Sequence, residues 1–168
     1  MAGPRRSREP THPLDCHERA LRLLSVRPRS RHELWLRLVR AGFPAEEVEG
    51  ELRRLGDVGL VDDEAFAREF AAHQLGARRA GRRAVASGLA AKGIDRRTIE
   101  RTLAEAPDDD AERADDLARS RAVRLRALPP EKAFPRLVSF LVRRGHDPET
   151  ARAAARRALE VGGVDGGA

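Results

Sequence analysis

One spacing of apolar and polar positions recurs three times along the chain. Leu34, Val85 and Leu137 stand eight residues before a glycine, Leu38, Leu89 and Leu141 four before it, and Val48, Ile99 and Ala151 six after it. The glycines are Gly42, Gly93 and Gly145, 51 and 52 residues apart. Apolar residues at i and i+4 ahead of a glycine describe one face of an amphipathic helix that ends where left-handed φ is allowed. A repeat of about fifty residues marks one supersecondary unit used three times, its apolar faces hidden partly against its neighbours. The pattern predicts an elongated repeat protein that presents a long surface, which favours binding over catalysis.

Helix start and stop signals divide the chain into nine helices in three groups, and the class is all-α. Asp15 with Glu18 and Ser30 with Glu33 read as capping boxes. The first helix must stop before Pro28, and the second runs through Ala41 to Gly42. Pro44 at a first helical position, then Glu46 and Glu47, start the third. Asp62 or Asp63 can cap the helix that carries Phe66, Ala67 and Phe70, and Asp95 the one with Ile99 and Leu103. A helix of nearly 20 residues is expected before Pro129-Pro130, spanning about 30 Å. Pro135 follows in the next helix; if that helix begins near Glu131, the missing N–H is barely needed there. Asp147, ahead of Pro148, caps the last. The expected organisation is a disordered basic tail at 1–13, three-helix repeats at 14–58, 59–107 and 108–160, and a disordered Gly-rich tail at 161–168.

Composition narrows the possibilities. With Trp35, five phenylalanines and no tyrosine, the core must rest on Leu, Val and Ala, which suits close-packed helices. The single Cys16 excludes an internal disulfide and a cysteine-built metal site, and fits a reducing compartment. No apolar run reaches the ~18 residues of a membrane span, and Arg5, Arg6 and Arg8 are not followed by a secretory apolar stretch. A cytoplasmic monomer is expected. The net charge of +6 is distributed in blocks: −6 over 44–69, +6 over 76–101, −6 over 102–116 and +7 over 117–160. Such blocks suit steering toward a charged partner, or simply a solvated surface.

Against this background particular residues resemble the RecX family, regulators of the RecA recombinase. Ser30-Arg31-His32-Glu33-Leu34, with Leu38 and Ala41-Gly42-Phe43, looks like that family's first repeat. Gly59-Leu60-Val61-Asp62-Asp63-Glu64-Ala65-Phe66-Ala67 is similar to its most distinctive stretch. Gly81-Arg82 with Leu89, Lys92, Gly93 and Ile94 resembles the second repeat, and Phe140-Leu141 with Arg143-Arg144-Gly145 the third. The resemblance covers residues 17 to 159. It implies tandem three-helix units that settle into the groove of a RecA filament, and modulation, usually inhibition, of strand exchange, ATP hydrolysis and co-protease activity. His146 stands where the family usually has phenylalanine, which implies looser packing of the third repeat there.

Candidate chemistry is sparse. Asp62-Asp63-Glu64 point in different directions on one helical turn, so capping, worth about 1 kcal/mol, accounts for them better than a metal. The five histidines lack i, i+3 or i+4 pairing and no HExxH occurs, so no metal site and no cofactor is expected. Gly76 to Arg83 lacks the lysine, hydroxyl and flanking strand of a phosphate-binding loop. No serine has a histidine nearby in sequence to activate it, and no enzyme is expected. Trp35, Leu36 and Val39 widen the apolar face of the second helix, for core burial or a partner. Arg78, Arg79, Arg82 and Arg83 are the principal candidates: four guanidiniums at a helix junction can engage phosphates or carboxylates bidentately. Arg152 and Arg156, i and i+4 on the last helix, form a second stripe unless Glu149 pairs with Arg152. Arg143 and Arg144 complete the candidate set. The alternative is a helix-turn-helix-like DNA-binding module or transcription regulator. The acidic Glu46, Glu47, Glu49 and Glu51 of the would-be recognition helix oppose it, leaving weak, salt-sensitive DNA affinity through the other repeats.

Overall fold

The computed structural model describes residues 14–162. Residues 1–13 and 163–168, which hold the expected basic tail and most of the Gly-rich one, lie outside the described residues. Among the described residues nine α-helices follow in order: α1 (Cys16–Val26), α2 (Arg31–Arg40), α3 (Ala45–Asp57), α4 (Asp63–Leu75), α5 (Arg82–Ala91), α6 (Arg96–Glu105), α7 (Asp110–Ala122), α8 (Pro130–Arg143) and α9 (Pro148–Gly162). Among the described residues there is no strand. The chain divides into two compact units, one up to Phe66 and one from Ala67.

The periodic positions are where the fold is closed. Gly42, Gly93 and Gly145 all take positive φ, at 98°, 75° and 90°. In each case the amide after the glycine donates back over the helix end to the leucine four before the glycine: Phe43 to Leu38 at 3.3 Å, Ile94 to Leu89 at 3.2 Å, His146 to Leu141 at 3.2 Å. This is the six-to-one closure of a Schellman end, made three times with the same residues. Leu34, Leu38, Val85, Leu89, Leu137 and Leu141 are all completely buried, as are Val48 and Ala151, with Ile99 nearly so.

In the first unit both expected capping boxes form, Asp15 with Glu18 and Ser30 with Glu33. Pro44 is the cap residue of α3 itself, one position ahead of the first turn that holds Glu46 and Glu47. Leu34, Leu38, Val48, Leu52 and Leu55 form the core, with Trp35, Val39 and Phe43 half-buried against it. Trp35 thus serves the core. The two aspartates divide their work. Asp62 Oδ1 accepts from the amides of Glu64 and Ala65, both at 2.9 Å, and so caps α4. Asp63 Oδ1 instead accepts from the Arg31 amide at 2.8 Å and caps α2, 32 residues earlier.

In the second unit α7, α8 and α9 enclose a core of Leu117, Leu125, Leu137, Leu141 and the alanines 114, 118, 122, 133, 151, 154, 155 and 158. Three sequence expectations need correction here. The long helix before Pro129 is 13 residues of α7 followed by a 3-10 turn, Val123–Leu125. Pro129 and Pro130 have no N–H, and Pro129 turns Leu128 away from α geometry, so the Leu128 amide closes on Leu125 three residues back, at 2.9 Å. Pro135 is an interior residue of α8, which starts at Pro130. The first bonded amides are Lys132 and Ala133, so Pro135 takes the donor from the Glu131 carbonyl at a position where the helix is already under way. Pro135 is exposed, so water can reach that end of the helix. Finally, packing around His146 is not loose: its side chain is completely buried.

Candidate partner-binding site

The segment 78–84 and the turn 144–147 lie against each other so closely that both meet through glycine. The Gly81 amide donates to the Arg144 carbonyl at 2.8 Å and the Arg83 amide to the Gly145 carbonyl at 3.2 Å. A Cβ on Gly81 would overlap the Gly145 carbonyl and the His146 amide, and one on Gly145 would overlap Ala84. Side chains reinforce this seam. Arg144 Nη2 donates to the Arg78 carbonyl at 2.8 Å, Arg83 Nη2 pairs with Asp147 Oδ2 at 2.5 Å, and His146 Nε2 lies 3.2 Å from the Arg79 carbonyl. The other imidazole nitrogen, Nδ1, is 3.3 Å from Asp110 Oδ2. Asp147 meanwhile uses Oδ1 to cap α9, accepting from the Glu149 amide at 2.9 Å.

This geometry sorts the candidate arginines. Arg82 is spent on the end of α6, donating to the Leu103 carbonyl and, at 3.0 Å, to the Pro107 carbonyl. Arg83 and Arg144 are held in the seam, though Arg83 remains 64% exposed and so keeps much of its surface for a partner. Arg78 and Arg79 are both exposed. Arg79 is the one non-glycine described residue with positive φ, 48°, a conformation costing roughly 1–2 kcal/mol for an L-residue. The His146 and seam contacts on its backbone hold it there. Its side chain borders a cavity of about 640 Å³ floored by Ala71, Leu75 and Pro107. Arg143, Arg152 and Arg156 are exposed on α8 and α9, away from the backbone contacts of the seam. No ion pair joins Arg152 to Glu149 among the described residues. Arg157 takes a partner instead, Asp115 at 2.7 Å.

Several residues of this region carry no signal in the sequence pattern. Arg113 is buried, its guanidinium held by Asp109 and, at 3.2 Å, by Asp110. Burial first, then the charge of Arg82, push its pKa down. Asp110, largely buried, therefore joins Arg113 to His146. Arg121 and Arg136 line one pocket with Arg143 and Phe140, and Arg121 and Arg144 lie over the Phe140 ring; the i, i+7 spacing of Arg136 and Arg143 on α8 is the one sequence signal that could have disclosed the cluster. Among the described residues no group of three or more His, Cys, Asp or Glu is placed to hold a metal ion, and no helix is long and apolar enough to cross a membrane.

Fold and surface together define an all-α array of three-helix modules that exposes arginine where the modules meet. Residues 16–55 match the first three-helix domain of RecX and residues 62–103 its second. The chain is 35% identical over 158 residues to the regulatory protein RecX of Thermobifida fusca, covering 91% of this chain and 85% of that one. It is 36% identical over 151 residues to the Mycobacterium avium protein of the same name, covering 88% and 87%. The crystal structure of RecX from Lactobacillus salivarius shares the fold, with a TM-score of 0.74 over 85% of this chain and 94% of that one at 20% identity. The chain belongs to the RecX family of regulatory proteins.

Proposed function

We propose that this chain is a non-enzymatic cytoplasmic regulator that binds the RecA–DNA filament and inhibits its recombinase, ATPase and co-protease activities in DNA repair and the SOS response. The observation that carries the reading is the family relationship, which extends over 91% of the chain. The exposed arginines give it a physical route. Arg78, Arg79, Arg83, Arg143, Arg152 and Arg156 are all exposed to solvent. Guanidinium forks recognise carboxylates of a protein surface or phosphates of DNA bidentately. Arg82 and Arg144 act differently in this reading: they hold the segment that displays Arg78, Arg79 and Arg83.

The test is inhibition of RecA-driven strand exchange by charge-reversed variants. Arg78→Glu with Arg79→Glu leaves the hydrogen bonds of Arg82, Arg83 and Arg144 in place, so the fold is retained while the exposed charge inverts. Inhibition at least tenfold weaker than that of the parent supports the assignment. Equal inhibition by variant and parent refutes it.

A further inference from the structure

We infer that the third module carries its own site for single-stranded nucleic acid, an open basic pocket on α7 and α8 that takes the backbone phosphates. The pocket has a volume of about 440 Å³ and is lined by Arg121, Arg136, Arg143, Ser139, Phe140 and the apolar Leu125 and Pro135. Three arginines and a hydroxyl converge there, and no carboxylate lines it. By contrast, Arg27, Arg31, Arg54, Arg83, Arg96, Arg119 and Arg157 each face an acid.

Arg121 is positioned without being neutralised. Its guanidinium lies over the Phe140 ring, 5.0 Å from the centroid, so the ring face fixes the side chain while the charge and the N–H edge stay available. Arg136 and Arg143 are exposed, i and i+7 on one stripe of α8, and Ser139 lies between them. Seven residues rise about 10.5 Å along a helix. A lone phosphate is satisfied by one guanidinium fork, whereas charges spread over this length match successive phosphates of one strand. The concavity favours a flexible strand that can dip into it over a stiff duplex.

The site extends the filament reading by giving the protein a hold on the strand itself. It is measured without RecA, so either proposal can fail alone. Anisotropy of a labelled thymidine oligonucleotide is followed over a potassium chloride series with the full chain. The variant Arg121→Gln/Arg136→Gln/Arg143→Gln should bind roughly tenfold or more weakly at low salt, and the slope of log K against log salt should shrink by about 2; Arg136→Gln/Arg143→Gln, which leaves the Phe140 contact intact, should lose about 1.4. Arg19→Gln/Arg22→Gln/Arg53→Gln removes the same charge from the first module and should keep the parental slope. Equal losses in both triple variants, or no loss in the first, overturn the inference. Displacement of the oligonucleotide by inorganic phosphate or ATP at matched ionic strength would assign the pocket to a free anion and overturn it too. Equal affinity for a duplex of the same length would remove the preference for single strands.

Discussion

Gly81→Ala probes the seam between the 78–84 segment and the 144–147 turn with a single methyl. Gly81 has φ −74°, a value any residue adopts, so the substitution brings no backbone strain, although alanine is a poorer N-cap for α5 than glycine. Most of its cost comes from space. The new Cβ would overlap the Gly145 carbonyl carbon and oxygen and the His146 amide nitrogen, all backbone atoms that cannot rotate away. Relief requires the two segments to part by more than 1 Å, roughly the difference between overlap and a normal carbon contact. That breaks or stretches the bonds from Gly81 to Arg144, Arg83 to Gly145, Arg144 to Arg78 and His146 to Arg79. At about 1 kcal/mol net for each, the loss is about 4 kcal/mol, a large part of the 5–15 kcal/mol that stabilises a typical domain. Urea unfolding followed by circular dichroism should show a midpoint lowered by about 2 M, with m in the range of 1–3 kcal/mol/M. Stability within 1 kcal/mol of the parent would refute the reasoning.

Three further outcomes follow from named contacts. Arg82→Ala, which deprives the Leu103 and Pro107 carbonyls of a charged donor, should cost about 1.5–3 kcal/mol, while Arg78→Ala on the exposed side should stay within about 0.5 kcal/mol; thermal melts of the pair separate the two roles. Asp63→Ala should cost about 1 kcal/mol in urea unfolding and speed hydrogen exchange of the Arg31 amide, because it removes the acceptor of the first amide of α2 while the Ser30–Glu33 box stays in place. Burial, with Glu47, Glu51 and Asp15 adding to it, pushes the Cys16 thiol up to about 11, from an ordinary 9.0. Between those values the unfolded chain releases the proton first, so this contribution is complete below pH 9.0 and is lost as pH rises to about 11, roughly 2–3 kcal/mol in all. With no tyrosine and only two lysines to titrate nearby in pH, Cys16→Ala should visibly flatten the alkaline limb of the stability profile.

What could be foreseen follows from which interactions are local. The glycine-centred period identified the buried leucines and the left-handed turns because amphipathic spacing and a Schellman end are properties of six or seven consecutive residues. Asp15, Ser30 and Asp95 announced their caps for the same reason. Asp63 did not announce its role, since the amide it serves is at Arg31, brought close only by folding. His146 and Asp110 were opaque in the same way: a buried imidazole set between a carboxylate and a carbonyl depends on three segments meeting. The arginine cluster was visible as composition, but its division into exposed and seam-bound members depends on tertiary partners such as Asp147 and the Pro107 carbonyl. The 3-10 turn after α7 was readable in principle from Pro129-Pro130, which remove donors and bias Leu128, yet helical periodicity runs on to Leu125 and masks it.

The most direct test of the account is ATP turnover by RecA on single-stranded DNA as the purified full chain is titrated in. Turnover should fall saturably with concentration, and the Arg78→Glu/Arg79→Glu variant should reproduce the fall only at much higher concentration. Turnover that stays constant up to saturating amounts of the parent protein would contradict it.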